Sequence, residues 1–110
     1  MKRIDKIFHY LKEQGSDSNI LELVENGEGF TASRLSDELQ ILRNNVSMEL
    51  NELCRRGALV KINSRPVLYY DRESLEQVLG RELTDSELVF HSADELLVLF
   101  SSEESKKKSL

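Results

Sequence analysis

Apolar residues recur at helical spacing from the start of the chain. Ile4, Ile7, Phe8 and Leu11 form one stripe at i, i+3, i+4 and i+7, which predicts an amphipathic helix over residues 3–14. Gly15 is its expected stop. A short second helix is predicted over 19–25, with Asp17 or Ser18 as cap and Ile20, Leu23 and Val24 as its apolar positions. Asn26-Gly27-Glu28-Gly29 reads as a loop, because paired glycines favour turns. Thr31 then caps a helix over 32–39 that carries Ala32, Leu35 and Leu39. Gln40-Ile41-Leu42 makes a tight connection. A longer helix over 43–56 turns Val46, Leu50, Leu53 and Cys54 to one side, and Gly57 ends it.

The period then shortens. Residues 58–62 and 67–70 are rich in strand formers, and Asn63-Ser64-Arg65-Pro66 between them is turn-like, which predicts a two-stranded hairpin. Beyond Asp71 the helical pattern returns through Leu75, Val78 and Leu79 to Gly80. Thr84-Asp85-Ser86-Glu87 and Ser92-Ala93-Asp94-Glu95 both match a capping box. Ser, Glu and Lys dominate from Ser101 on, the composition of a disordered tail. The expected class is mainly α with a small β-hairpin, a winged helix-turn-helix followed by C-terminal helices. The expected organisation is a domain over 1–72, a helical extension or linker over 73–100 and a tail over 101–110.

Length and composition narrow the chemistry. A chain of 110 residues with 39% apolar side chains builds one small core and excludes a large cofactor-binding fold. The single cysteine, Cys54, allows no internal disulfide and no cysteine-based zinc site, so a reduced, cytoplasmic setting is expected. No signal peptide and no membrane-length apolar run is present in the sequence. His9 and His91 each stand without a second ligand nearby, and no spacing joins a nucleophile to a base. Neither a glycine-rich phosphate loop nor a Walker motif occurs. The expectation is therefore no enzyme, no metal, no cofactor and no small-molecule ligand.

The net charge of -5 conceals a change of sign along the chain. Residues 31–70 hold six basic and four acidic side chains, whereas 71–104 hold two basic and ten acidic, so the middle is the part suited to a polyanion. With its core positions set aside, the predicted helix over 43–56 offers Arg43, Asn44, Asn45, Ser47, Met48 and Asn51. Asn is a poor helix former, so three of them on one short stretch call for a reason. Asn, Arg and Ser hydrogen-bond base edges and phosphates, and a helix fits the major groove. Arg65 at the hairpin tip, beside the conformationally restricted Pro66, suits a phosphate or minor-groove contact, with Lys61 as its weaker companion.

The phrases Gly29-Phe30-Thr31-Ala32, Arg43-Asn44-Asn45-Val46-Ser47, Leu50-Asn51-Glu52-Leu53 and Arg65-Pro66-Val67-Leu68-Tyr69-Tyr70 carry a family likeness. Over about residues 1–72 the chain resembles the N-terminal DNA-binding region of bacterial sigma-54-dependent activators of the levanase-operon regulator type. The resemblance implies a winged helix preceding an AAA+ ATPase module and phosphotransferase-system regulation domains, in regulators of sugar-uptake operons. The chain departs from the family pattern at Leu42, where a Ser or Thr cap is usual, at Ser64, where Gly is usual, and at Met48, where a basic residue is usual.

The expected partner is double-stranded DNA, read by the helix over 43–56 and held by the wing. The rival expectation is a winged helix that binds protein through its acidic C-terminal part, since a fold alone assigns no function. The apolar residues of 73–100, among them Leu75, Leu79, Leu83, Leu88, Phe90, Leu96 and Phe100, are too many for a solvated linker. They must fold back on the domain or pair two copies into a homodimer.

Overall fold

Residues 59–62 and 68–71 place apolar side chains on both faces of a hairpin, so helices have to cover each side of it. The computed structural model describes residues 1–17 and 19–108, with the backbone alone for Asp17 and residues 102–108. In chain order the elements are α1 (Arg3–Asp17), α2 (Ile20–Glu25), α3 (Ala32–Leu39), α4 (Arg43–Arg55), β1 (Leu59–Ile62), β2 (Leu68–Asp71) and α5 (Arg72–Leu79). A 3-10 turn (Asp85–Glu87), β3 (Val89–Phe90) and α6 (Ala93–Lys108) follow. The class is mainly α with a small sheet, and three helices, a tight turn, a fourth helix and the hairpin follow one another in the predicted order.

The sheet has the order β2-β1-β3. β1 runs antiparallel to β2, with Val60 opposite Tyr70, Lys61 opposite Tyr69 and Ile62 opposite Leu68. β3 joins β1 in parallel, and Phe30 makes a single antiparallel bridge to Tyr69. Strand alternation divides the core in two. Leu59 and Tyr69 pack with Phe30, which precedes α3, and with Ile7, Leu11, Leu35, Val46, Leu50 and Leu53 from α1, α3 and α4. Val60, Ile62, Leu68 and Tyr70 pack on the other face with Ile20 and Val24 of α2, Leu75 and Leu79 of α5, and Leu96 and Phe100 of α6.

The second half of that division answers what covers residues 73–100. They fold back onto the hairpin and α2, burying Leu75, Leu79, Leu83, Leu88, Phe90, Leu96 and Phe100 within the chain. Val78, Val89 and Val98 stay exposed. Arg72 ties this part to the rest: its guanidinium donates to the carbonyls of Gly57, at 3.0 Å, and of Leu83, and to Glu76 at 3.1 Å.

Several local expectations change for physical reasons. Gly15 does not stop α1; it is buried inside the helix, where a Cβ would lie 2.6 Å from Oγ of Ser74 in α5. Its role is close helix approach. Asp17 ends α1, and Ser18 lies outside the described residues. Asn19 caps α2 instead, its side chain accepting from the Glu22 N–H at 3.2 Å. Val89 and Phe90 form a two-residue strand, too short to show a period in sequence. Beyond Ser101, where a disordered tail is expected, the backbone of α6 runs on to Lys108, and Ser109 and Leu110 lie outside the described residues.

Tyr70 is fully buried, and its hydroxyl donates to the carbonyl of Glu28. Burial, with the nearby Glu28 charge second, pushes its pKa up to about 12. The unfolded phenol titrates near 10, so the folded chain binds more protons between about 10 and 12. The stabilisation is whole below pH 10 and is lost as pH rises through that window. In Tyr70→Phe the fall in urea midpoint between pH 10 and 12 is expected to be shallower. A Phe variant with the parent's alkaline slope would contradict this assignment.

Candidate nucleic-acid interface

α3 and α4 are joined by a turn in which Gln40 takes the left-handed conformation, φ 56°, and donates through its amide to the Asp37 carbonyl at 2.9 Å. Ser36 closes the same turn by donating to the Ile41 carbonyl at 2.6 Å. Thr31 caps α3 as expected, accepting from the Arg34 N–H at 3.0 Å. α4 has no such cap: Leu42 occupies the position with no side-chain hydrogen bond and is 75% exposed. Ser or Thr side chains at an N-cap contribute about 1 kcal/mol. Leu42→Ser is therefore expected to raise unfolding free energy by about that amount, read from urea denaturation; an unchanged midpoint would refute it.

The 3.6-residue period sorts the candidate residues of α4 into three flanks. Val46, Leu50 and Leu53 enter the core. Asn44, Met48 and Asn51 lie opposite and are exposed. Arg43 and Ser47 line the side toward the hairpin. Asn45 lies half-buried on the remaining flank, with Glu49, which pairs with Arg3 of α1 at 3.3 Å. The helix thus turns three of its predicted contacts straight outward and two toward the hairpin, and sets Asn45 apart.

Arg43 and Ser47 belong to a groove of about 340 Å³ shared with Thr31, Ala32 and Ser33 of the α3 start and Pro66, Val67 and Tyr69 of the hairpin. The Phe30–Tyr69 bridge brings these segments together, with the Tyr69 N–H donating to the Phe30 carbonyl at 2.9 Å. Because both faces of β1 and β2 are covered, only the tip over residues 63–67 remains to act as a wing. Arg65 and Pro66 are exposed there, and Ser64 closes the tip by donating to the Pro66 carbonyl at 2.9 Å. Lys61 sits elsewhere: it is half-buried in the central strand, near enough to Cys54 to oppose the rise that burial imposes on that thiol.

Charge pairing singles out the same place. Among the described residues Arg3, Arg55, Arg56, Arg72 and Arg81 are all in ion pairs. Of the eight arginines only Arg34, Arg43 and Arg65 are in none among the described residues. Arg43 lines the groove, Arg65 adjoins its Pro66, and Arg34 follows its Ser33. Arg34 is held over the Phe30 ring at 4.8 Å and donates to the Gly29 carbonyl at 3.4 Å. By contrast Arg55, then Arg56, hold Glu52 down to a pKa of about 2. Carboxylates dominate a separate cleft of about 400 Å³, lined by Phe8, Gly57, Ala58, Asp71, Arg72, Glu73, Glu76 and Glu82.

Sequence reasoning missed Ser33, Arg34 and Tyr69. The Thr31 cap places Ser33 and Arg34 in the first turn of α3, which was a usable signal; the pairing of Phe30 with Tyr69 left none. Among the described residues no group of three His, Cys, Asp or Glu side chains could hold a metal ion, and no helix is long and apolar enough to cross a membrane.

The chain's matches among characterised proteins are transcriptional regulatory proteins. It is 38% identical over 82 residues to the transcriptional regulatory protein LevR of Bacillus subtilis (strain 168), covering 74% of this chain and 9% of LevR. It is 33% identical over 97 residues to the transcriptional regulatory protein DagR of Salmonella typhimurium (strain 14028s / SGSC 2262), covering 88% of this chain and 10% of DagR. The chain thus spans about a tenth of the length of these relatives. No protein-family model and no solved structure matches it.

Proposed function

We propose that this chain is a winged helix-turn-helix domain that binds duplex DNA in the cytoplasm for a bacterial transcriptional regulator, acting by binding and not by catalysis. One observation carries the reading. Arg43 and Arg65, both without ion pairs among the described residues, flank one groove beside the exposed Asn44, Met48 and Asn51, while five other arginines are neutralised. In this reading Asn44 and Asn51 hydrogen-bond base edges and Met48 meets an apolar base surface such as a thymine methyl. Arg43, Ser47 and Arg65 hold phosphates. Asn45 and Lys61 lie further from the contact than the sequence suggests. The likeness to LevR and DagR supports the regulatory role, and the family resemblance of residues 1–72 extends it to a sigma-54-dependent activator of a sugar-uptake operon. Pairing through 73–100 is not part of the proposal, because the chain buries most of that apolar surface itself.

The competing reading, a protein-binding winged helix, has the carboxylate-lined cleft in its favour. Selection of duplexes from a random pool separates the two. The selected duplex is expected to bind with an affinity that falls steeply between 50 and 200 mM salt, because each neutralised phosphate releases counterions. Asn44→Ala and Asn51→Ala should each cost about 1–3 kcal/mol of preference over random duplex. Arg43→Ala and Arg65→Ala should weaken both duplexes evenly. Failure to enrich any sequence, with no binding at low salt, would favour the protein-binding reading.

A further inference from the structure

The exposed stripe of α4 does not end at Asn51. Arg55 lies four residues on, 11 residues and about 16 Å of helix beyond Asn44. A straight helix seated by its N-terminal half in a curved groove brings its far end to the sugar-phosphate backbone, where an exposed arginine would bind any sequence. Here that arginine is occupied. Glu52 accepts from Nε of Arg55 at 2.8 Å and from its Nη2 at 2.5 Å, and also from Nε of Arg56 at 2.8 Å. One carboxylate holds two guanidiniums, at the end of the helix where base contacts are out of reach.

We infer that Glu52 is a specificity-determining residue of the DNA contact proposed above: by engaging Arg55 and Arg56 it withholds both from phosphates that every sequence presents. The inference rests on the DNA-binding reading. Selectivity is a difference between affinities, and lowering the affinity for wrong partners raises it as effectively as a new base contact does. The paired arginines stand in contrast to Arg43 and Arg65 at the other end of the site, which carry no ion pair among the described residues. The contact is thereby concentrated where Asn44, Met48 and Asn51 can read bases.

The test compares the full-length parent with Glu52→Gln on a duplex selected by the parent and on random duplex, across a salt series. Each arginine released onto a phosphate steepens the slope of log affinity against log salt by about 0.9, equivalent to about 3.5-fold over a fourfold change in salt. Glu52→Gln should bind random duplex about three- to tenfold more tightly at low salt, with a slope steeper by about one to two. Its preference for the selected duplex should shrink. The gain should vanish when Arg55→Gln and Arg56→Gln are added. A gain that persists without the arginines reports only the lost negative charge and overturns the inference. So does an unchanged slope in a parent that binds DNA, which leaves the DNA reading standing. Absence of binding by both proteins at low salt overturns the DNA reading and this inference with it. Circular dichroism of each variant establishes that α4 is still folded.

Discussion

A chain ending at Asp71 is expected to lose its cooperative fold. The hairpin is covered by α1, α3 and α4 on one face only; the other is covered by α2 together with α5, β3 and α6. Removing residues 72–110 uncovers Ile20, Val24, Val60, Ile62, Leu68 and Tyr70, none more than 7% exposed in the full chain. Each contributes about 1.5–3 kcal/mol when fully buried. The whole stability of a small domain is only about 5–15 kcal/mol, and exposing the six costs about 9–18 kcal/mol, as much as that whole. The same cut removes Arg72, which pins the Gly57 turn, and leaves Asp71 without the Ser74 N–H and hydroxyl it accepts at 3.1 and 2.8 Å. Urea unfolding followed by circular dichroism should show a broad, shallow transition for residues 1–71 beside a sharp one for the full chain. A sharp transition at the parent's midpoint would show that 1–71 folds alone and that the second core is dispensable.

Gly15→Ala sets helix propensity against packing, and packing is expected to win. In an open helix the substitution would stabilise by about 1 kcal/mol. At this position the new Cβ would lie 2.6 Å from Oγ and 3.0 Å from Cβ of Ser74, itself buried and bonded to Asp71. α1 and α5 must move apart or Ser74 must break its bond, and overpacking of this kind costs about 1–3 kcal/mol. The net result is a loss of up to about 2 kcal/mol. Adding Ser74→Ala should recover part of it, so the double variant loses less than the sum of the singles. A stabilised Gly15→Ala would mean that the two helices yield freely.

These two cases mark where the sequence is legible. Periods of 3.6 and 2, the Thr31 cap and the glycines after α4 and α5 are local signals, and they place α3, α4, the hairpin and the start of α1 to within a residue, while α1 runs three residues past its predicted end. Gly15 carries the same letter as Gly57 and Gly80 but a different cause: those two have φ of 75° and 83° at helix ends, whereas Gly15 is required by a neighbour nearly sixty residues away in sequence. β3 and the Phe30–Tyr69 bridge exist only through partners distant in sequence. The same limit applies to the candidate site. The residue types of α4 were readable, but whether Asn45 faces solvent, whether Lys61 reaches the hairpin tip, and which arginines carry ion pairs depend on packing and pairing.

The most direct test of the central claim is a titration of the uniformly 15N-labelled full chain with a short duplex it selects, followed by two-dimensional NMR. The largest amide shifts should fall on Thr31–Arg34, on Arg43–Asn51 and on the tip around Arg65, and diminish together as salt is raised. Shifts centred on Glu73, Glu76, Glu82 and the Gly57 turn, with α4 undisturbed, would contradict it.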